Sequence, residues 1–147
     1  MQSKRIFLVG SVLALTLGLG ACATTNPDVV TLGAKLSGAS EVPPNSTSGS
    51  GTLEASFDKK TSTLSWTVAY SGLTGPARAG HFHGPAAAGS NAGVALGFTG
   101  GVESPIKGSA VLTPAQAADV LAGKWYVNLH TAANPGGEIR GQVAVAP

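Results

Sequence analysis

Apolar and polar residues alternate with period two along most of the chain. Leu32, Ala34 and Leu36 are separated by Gly33 and Lys35, and Leu53, Ala55 and Phe57 by Glu54 and Ser56. Leu64, Trp66, Val68 and Tyr70 are separated by Ser65, Thr67 and Ala69. Such spacing sends alternate side chains to opposite faces of a strand, one toward a core and one away from it. Asp58-Lys59-Lys60-Thr61 joins the second and third runs, so they read as a hairpin. Further strands are expected at Ala77–His83, Val94–Phe98, Ile106–Leu112, Trp125–His130 and Glu138–Val145, with turn-forming Gly, Pro, Asn and Ser between them. One stretch differs. Thr113 before Pro114, with Gln116 three places on, is a capping box with proline at the first helical position, and Gly123 supplies a stop. A short helix is therefore expected over Pro114–Ala122. The fold class expected is all-β: an antiparallel, Greek-key-like β-sandwich or barrel with one short helix.

The first residues break this pattern. Lys4 and Arg5 precede an unbroken run of apolar and small residues from Ile6 to Leu19, followed by Leu19-Gly20-Ala21-Cys22. The run is short for a membrane span, which needs about 20 apolar residues. It reads as an export signal, and the cysteine phrase resembles a bacterial lipobox. The organisation expected is a signal peptide over 1–21, a tether lipidated at Cys22 over 22–29, and one β domain over 30–147. Cys22 is the sole cysteine, so an intramolecular disulfide is excluded and the domain folds on its core alone. Ala23 follows in place of the aspartate retention signal, which favours the outer membrane in a Gram-negative host.

Charge is informative once the signal is set aside. The chain has 9 basic and 7 acidic residues; without Lys4 and Arg5 the remainder is balanced, with no basic stripe. Nucleic acid is not an expected partner. A reactive-serine elbow and a phosphate-cradling glycine loop are both absent from the sequence. Trp66 and Trp125 read as core residues, and Glu41 as a solvated loop acid.

The candidate chemistry lies in the 3 histidines. His81 and His83 bracket Phe82, and His130 ends the strand-like run Trp125–His130. If Phe82, Val127 and Leu129 face the core, all three imidazoles point away from it, together with Tyr126 and Asn128. In the last run Ile139, Val143 and Val145 are expected inside, and Glu138, Arg140 and Gln142 outside. Pairing of the Ala77 and Trp125 strands would bring the three rings together, and a final hairpin would bring Glu138 to His130. Three imidazoles suit zinc or copper. The expected metal set is His81, His83 and His130, with Glu138 as fourth ligand or as the carboxylate that orients a ring. Taken singly, each histidine reads better as a fastener for its own turn or as strand-end packing; the metal reading rests on the set of three.

Several phrases resemble the CHRD domain, a module first named from chordin and widespread in bacterial exported proteins. They are Leu36-Ser37-Gly38-Ala39-Ser40-Glu41-Val42-Pro43-Pro44, Ser71-Gly72-Leu73-Thr74-Gly75-Pro76, His81-Phe82-His83-Gly84-Pro85-Ala86, Val127-Asn128-Leu129-His130-Thr131 and Asn134-Pro135-Gly136-Gly137-Glu138-Ile139-Arg140-Gly141. In order, they cover nearly all of Val30 to Val145. The resemblance implies an extracellular β-rich module and delivers no activity. Two functional readings follow. One is a membrane-anchored, extracytoplasmic module that binds copper or zinc. The other is a metal-free envelope or adhesion module that binds another envelope protein. A metalloenzyme is a third reading, which the sequence supports less.

Overall fold

A computed structural model describes residues 26–147. The expectations for 1–21 and for Cys22 lie outside the described residues. Nine strands, all paired antiparallel, and one α-helix make up the domain: β1 (Val29–Ser37), β2 (Ser50–Asp58), β3 (Thr63–Ser71), β4 (Ala77–His83), β5 (Val94–Gly97), β6 (Ile106–Val111), α1 (Pro114–Leu121), β7 (Tyr126–Thr131), β8 (Ile139–Gln142) and β9 (Ala144–Val145). They form one sheet in the order β5-β4-β7-β8-β1-β2-β3-β6, with β9 beside β1. The chain crosses between the wings of this sheet after β3, after β5 and after β6, an interleaving of the Greek-key kind.

Strands β3 and β4 stand far apart in that order, yet their aromatic side chains meet. Trp66 packs edge-on to Phe82 with ring centroids 5.3 Å apart and stacks on Phe98 at 5.7 Å, while Phe82 also touches Trp125 at 5.9 Å. The sheet is therefore curled into a half-barrel whose concave side holds the core. Leu32, Leu36, Leu53, Phe57, Leu64, Val68, Val127, Leu129 and Ile139 fill it, as period two requires. Gly108 on β6 lies against the Trp66 indole, and a Cβ there would collide with the ring.

The helix is capped as its sequence indicates. Gln116 N–H donates to Thr113 Oγ1 at 3.2 Å, and Thr113 N–H donates to Gln116 Oε1 at 3.0 Å. Gly123 follows with φ +70°. Among the described residues no helix is long and apolar enough to cross a membrane.

Three expectations need correction. The last run is two strands, because Val143 N–H turns to the Trp125 carbonyl (2.9 Å) and the chain then changes partner from β7 to β1. Val145, expected inside, is exposed as a result. Glu41, expected in solvent, is 5% exposed. The cause is common to several residues: the convex face of β7 and β8 is roofed by loops. Asn45 Nδ2 donates to the Glu138 carbonyl (3.0 Å), Asn91 Nδ2 to the Val42 carbonyl (3.0 Å), and Arg140 Nη2 to the Ser90 carbonyl (2.6 Å). Tyr126, Asn128, Glu138 and Arg140 point away from the core as expected, but they are buried beneath this roof.

Candidate metal centre

Strand β4 pairs with β7 so that Gly80 faces Leu129, His81 faces Asn128 and His83 faces Tyr126. Phe82, Val127 and Leu129 are fully buried in the core. Their neighbours of opposite parity, His81, His83 and His130, therefore share the convex face, each half-buried. One ring nitrogen from each histidine lies within 4.8 Å of the other two. His81 Nδ1 and His130 Nε2 are 3.3 Å apart. Two ligands of a tetrahedral ion with metal–nitrogen bonds of about 2.0–2.1 Å stand about 3.3–3.4 Å apart, so this pair already has the edge of a zinc tetrahedron.

Backbone carbonyls fix two of the tautomers. His83 Nδ1 is 3.0 Å from the Ala92 carbonyl oxygen, and His130 Nδ1 is 2.9 Å from that of Pro135. A carbonyl only accepts, so both Nδ1 atoms carry the hydrogen and donate. The neutral rings then hold their free lone pairs on Nε2. His83 Nε2 is buried and makes no hydrogen bond. A ligating histidine is commonly set up this way, with its far N–H held by a carbonyl or carboxylate.

The His83 ring is further clamped by stacking. It lies parallel to Tyr126, with centroids 4.8 Å apart and an interplanar angle of 2°. Arg140 places its guanidinium carbon 3.4 Å from the centre of the same tyrosine ring. Tyr126 lies between His83 and Arg140 in the sheet order, so the three side chains form a column across β4, β7 and β8. The Tyr126 hydroxyl donates to the Ala92 carbonyl (3.3 Å), the group that also holds His83.

Electrostatics favour neutral imidazoles. Burial pushes His81 below the usual histidine range, and the neighbouring His130 and His83 push the same way. Burial also lowers His130; the Pro135 carbonyl opposes this and His83 adds to it. Both rings are thus held in the form that ligates.

Glu138 does not join the three rings. Its carboxylate is fully buried and accepts hydrogen bonds from Thr47 Oγ1 (2.7 Å), Thr74 N–H (2.7 Å), Thr74 Oγ1 (2.8 Å) and Thr131 Oγ1 (2.6 Å). Burial pushes its pKa up, but these donors outweigh that and hold it at about 2. Glu138 fastens the β1–β2, β3–β4 and β7–β8 connections to one another, in place of the ligand or ring-orienting role expected from sequence.

The residue at the rings is Asn128, which the strand parity turned outward without a role. Its Oδ1 lies 3.0 Å from His130 Nε2, and it is 3% exposed. Spacing of two along one strand, Asn128-Leu129-His130, was the signal available for it. Tyr126 shares that parity too. Glu41 comes from a distant loop and leaves no such local signal. It sits behind Asn128: burial raises its pKa, and Arg140, the Val42 N–H and the Asn128 amide oppose the rise.

No curated protein and no solved structure matches the chain significantly. The family model described as the CHRD domain matches residues 32–143, more than half of the chain, which spans β4, β7, β8 and all three histidines, and the chain belongs to that family.

Proposed function

We propose that this CHRD domain binds one zinc or copper ion through His81, His83 and His130, and that it does so outside the cytoplasm, held to the bacterial envelope by a lipid on Cys22. The observation that carries the metal reading is the pair of carbonyl-fixed tautomers. Ala92 and Pro135 take the Nδ1 hydrogens of His83 and His130 and leave both Nε2 lone pairs free on the same face as His81. Histidines that merely fastened loops would have no need to gather those lone pairs. His81 and His130 share one hydrogen in the metal-free pair, and an ion takes its place. The displaced hydrogen moves to His81 Nε2, so the neutral rings take up the ion without net loss of a proton.

The test is metal uptake by the full-length chain purified in detergent. The wild type takes up close to one zinc or Cu(II) per chain, and the variant with all three histidines changed to alanine takes up none. Equal uptake by both sinks the reading. The anchor is tested separately: Cys22→Ser should leave an unprocessed precursor or a protein that no longer partitions with membranes. Normal maturation and membrane partitioning of this variant would remove it.

The metal-free reading draws on the same two carbonyl bonds, because they tie the 84–93 and 132–138 loops to the sheet. Under that reading the domain is an envelope-binding or adhesion module, and the triple alanine variant loses stability with no change in metal content.

A further inference from the structure

We propose that the fourth protein ligand of this centre is the amide oxygen of Asn128, and that Glu41 is the residue that keeps that oxygen turned toward the ion. The inference rests on the three-histidine metal reading above and adds the donor that completes it.

The contact between Asn128 Oδ1 and His130 Nε2, at 3.0 Å, has the length of a hydrogen bond but lacks a hydrogen. His130 has given its ring hydrogen to the Pro135 carbonyl through Nδ1. Its Nε2 therefore presents a lone pair, and so does the amide oxygen. His81 Nδ1 reaches the same Nε2 at 3.3 Å. Two acceptors this close repel unless a positive centre stands between them. In the metal-free pair the hydrogen on His81 Nδ1 eases this only for His130 Nε2; a metal ion bound by His81 and His130 replaces it with a centre that both acceptors face, and Asn128 Oδ1 then lies on its coordination shell as an oxygen donor.

A half-turn of the amide would relieve the repulsion by presenting Nδ2 to His130 instead. The surroundings oppose it. The amide nitrogen faces the Glu41 carboxyl, close enough to favour its ionised form, although Glu41 Oε1 receives no well-formed hydrogen bond. A flip would put the amide oxygen against that carboxyl and lose the attraction. Both groups are packed over Gly137, where a Cβ would collide with the Glu41 carboxyl and the Asn128 nitrogen alike. Glu41 is thus a positioning residue: it acts on the ion through Asn128.

Zinc titration of the full-length chain against a competing chelator tests this. Asn128→Leu should bind zinc at the same stoichiometry but about tenfold or more weakly. Asn128→Asp, the same shape with an anionic oxygen, should bind more tightly than the wild type. Glu41→Gln should weaken binding less than Asn128→Leu does. With Co(II) in place of zinc, the visible bands should shift in Asn128→Leu and stay put in a loop control such as Ser90→Ala. If Asn128 instead only accepts a hydrogen from His130 Nε2, its removal frees a lone pair. Asn128→Leu would then bind zinc as well as the wild type or better, and the proposal is overturned. Should Asn128→Leu not fold, Asn128→Asp decides: equal or weaker binding with unshifted Co(II) bands overturns the proposal. Failure of the wild type itself to bind metal is a different result, and it removes the three-histidine reading along with this one.

Discussion

His81 Nδ1 and His130 Nε2 face each other at 3.3 Å across the β4–β7 pair, although the residues are diagonal rather than direct partners in the register. Rings on diagonal positions meet only when both lean toward one point, and the third ring, His83, leans there too. Because burial holds His81 and His130 below the usual histidine range, the metal-free domain carries a pH dependence of known sign. A lowered pKa in the folded state means that the unfolded chain binds the proton more readily. The stability these rings contribute is present in full above their ordinary pKa of 6.5 and is lost as pH falls through their lower folded values. Denaturant midpoints of the chelated protein should therefore fall between pH 7 and pH 5, and the triple alanine variant should lose much of that fall. Metal uptake should decline over the same interval, since protonated imidazoles cannot ligate. A metal-free stability that rises on acidification would contradict the burial argument.

Glu138 gives a second pH window. With four donors on its carboxylate and a pKa held at about 2, its stabilising effect is present above about 4.5 and disappears as pH falls toward 2. Glu138→Gln places an NH2 group among groups that are already donating. The threonine hydroxyls can turn, but Thr74 N–H cannot. The expected cost is about 1–3 kcal/mol, read as a lowered denaturant midpoint. Metal stoichiometry should be unchanged. Loss of metal in a folded Glu138→Gln variant would restore the ligand role read from the sequence.

The histidines and Glu138 mark where sequence pattern was sufficient and where it failed. Phe82, Val127 and Leu129 are unambiguous core residues, so period two settles the face on which His81, His83 and His130 lie. Their meeting then needs only that β4 and β7 be neighbours. Parity also turned Glu138 and Asn128 to that face, and it stops there. Which donors reach a side chain depends on the roof, and Thr47 and Thr74 arrive from loops 91 and 64 residues away along the chain. For the same reason Glu41 looked solvated: nothing near it in sequence announces that β7 and β8 lie beneath it. Val145 was misplaced because alternation continues past Val143 although the pairing partner changes.

Trp66 ties the two wings of the curled sheet together through Phe82 and Phe98. Trp66→Ala should cost about 3–5 kcal/mol, measured by equilibrium denaturation. Trp66→Phe should cost clearly less, because it keeps an aromatic ring and removes a buried indole N–H that has no partner. A midpoint for Trp66→Ala close to that of the wild type would mean that the wings do not depend on this contact.

Gly137 connects the turn after β7 to the proposed metal centre. Its φ of +135° is open to glycine and strained for any residue with a side chain. A methyl group there would also strike the Glu41 carboxyl and the Asn128 amide nitrogen. Gly137→Ala should therefore do two things together. It should lower stability by about 1–3 kcal/mol through backbone strain. It should also weaken zinc binding beyond what the lost stability explains, because the collision pushes Asn128 off the orientation in which its oxygen faces His130. Gly136, one residue earlier, has open space where a Cβ would go. Gly136→Ala is thus the control, with near-normal stability and zinc affinity. If both variants bind zinc equally well, the turn is merely a turn, and the link from Gly137 through Asn128 to the ion does not exist.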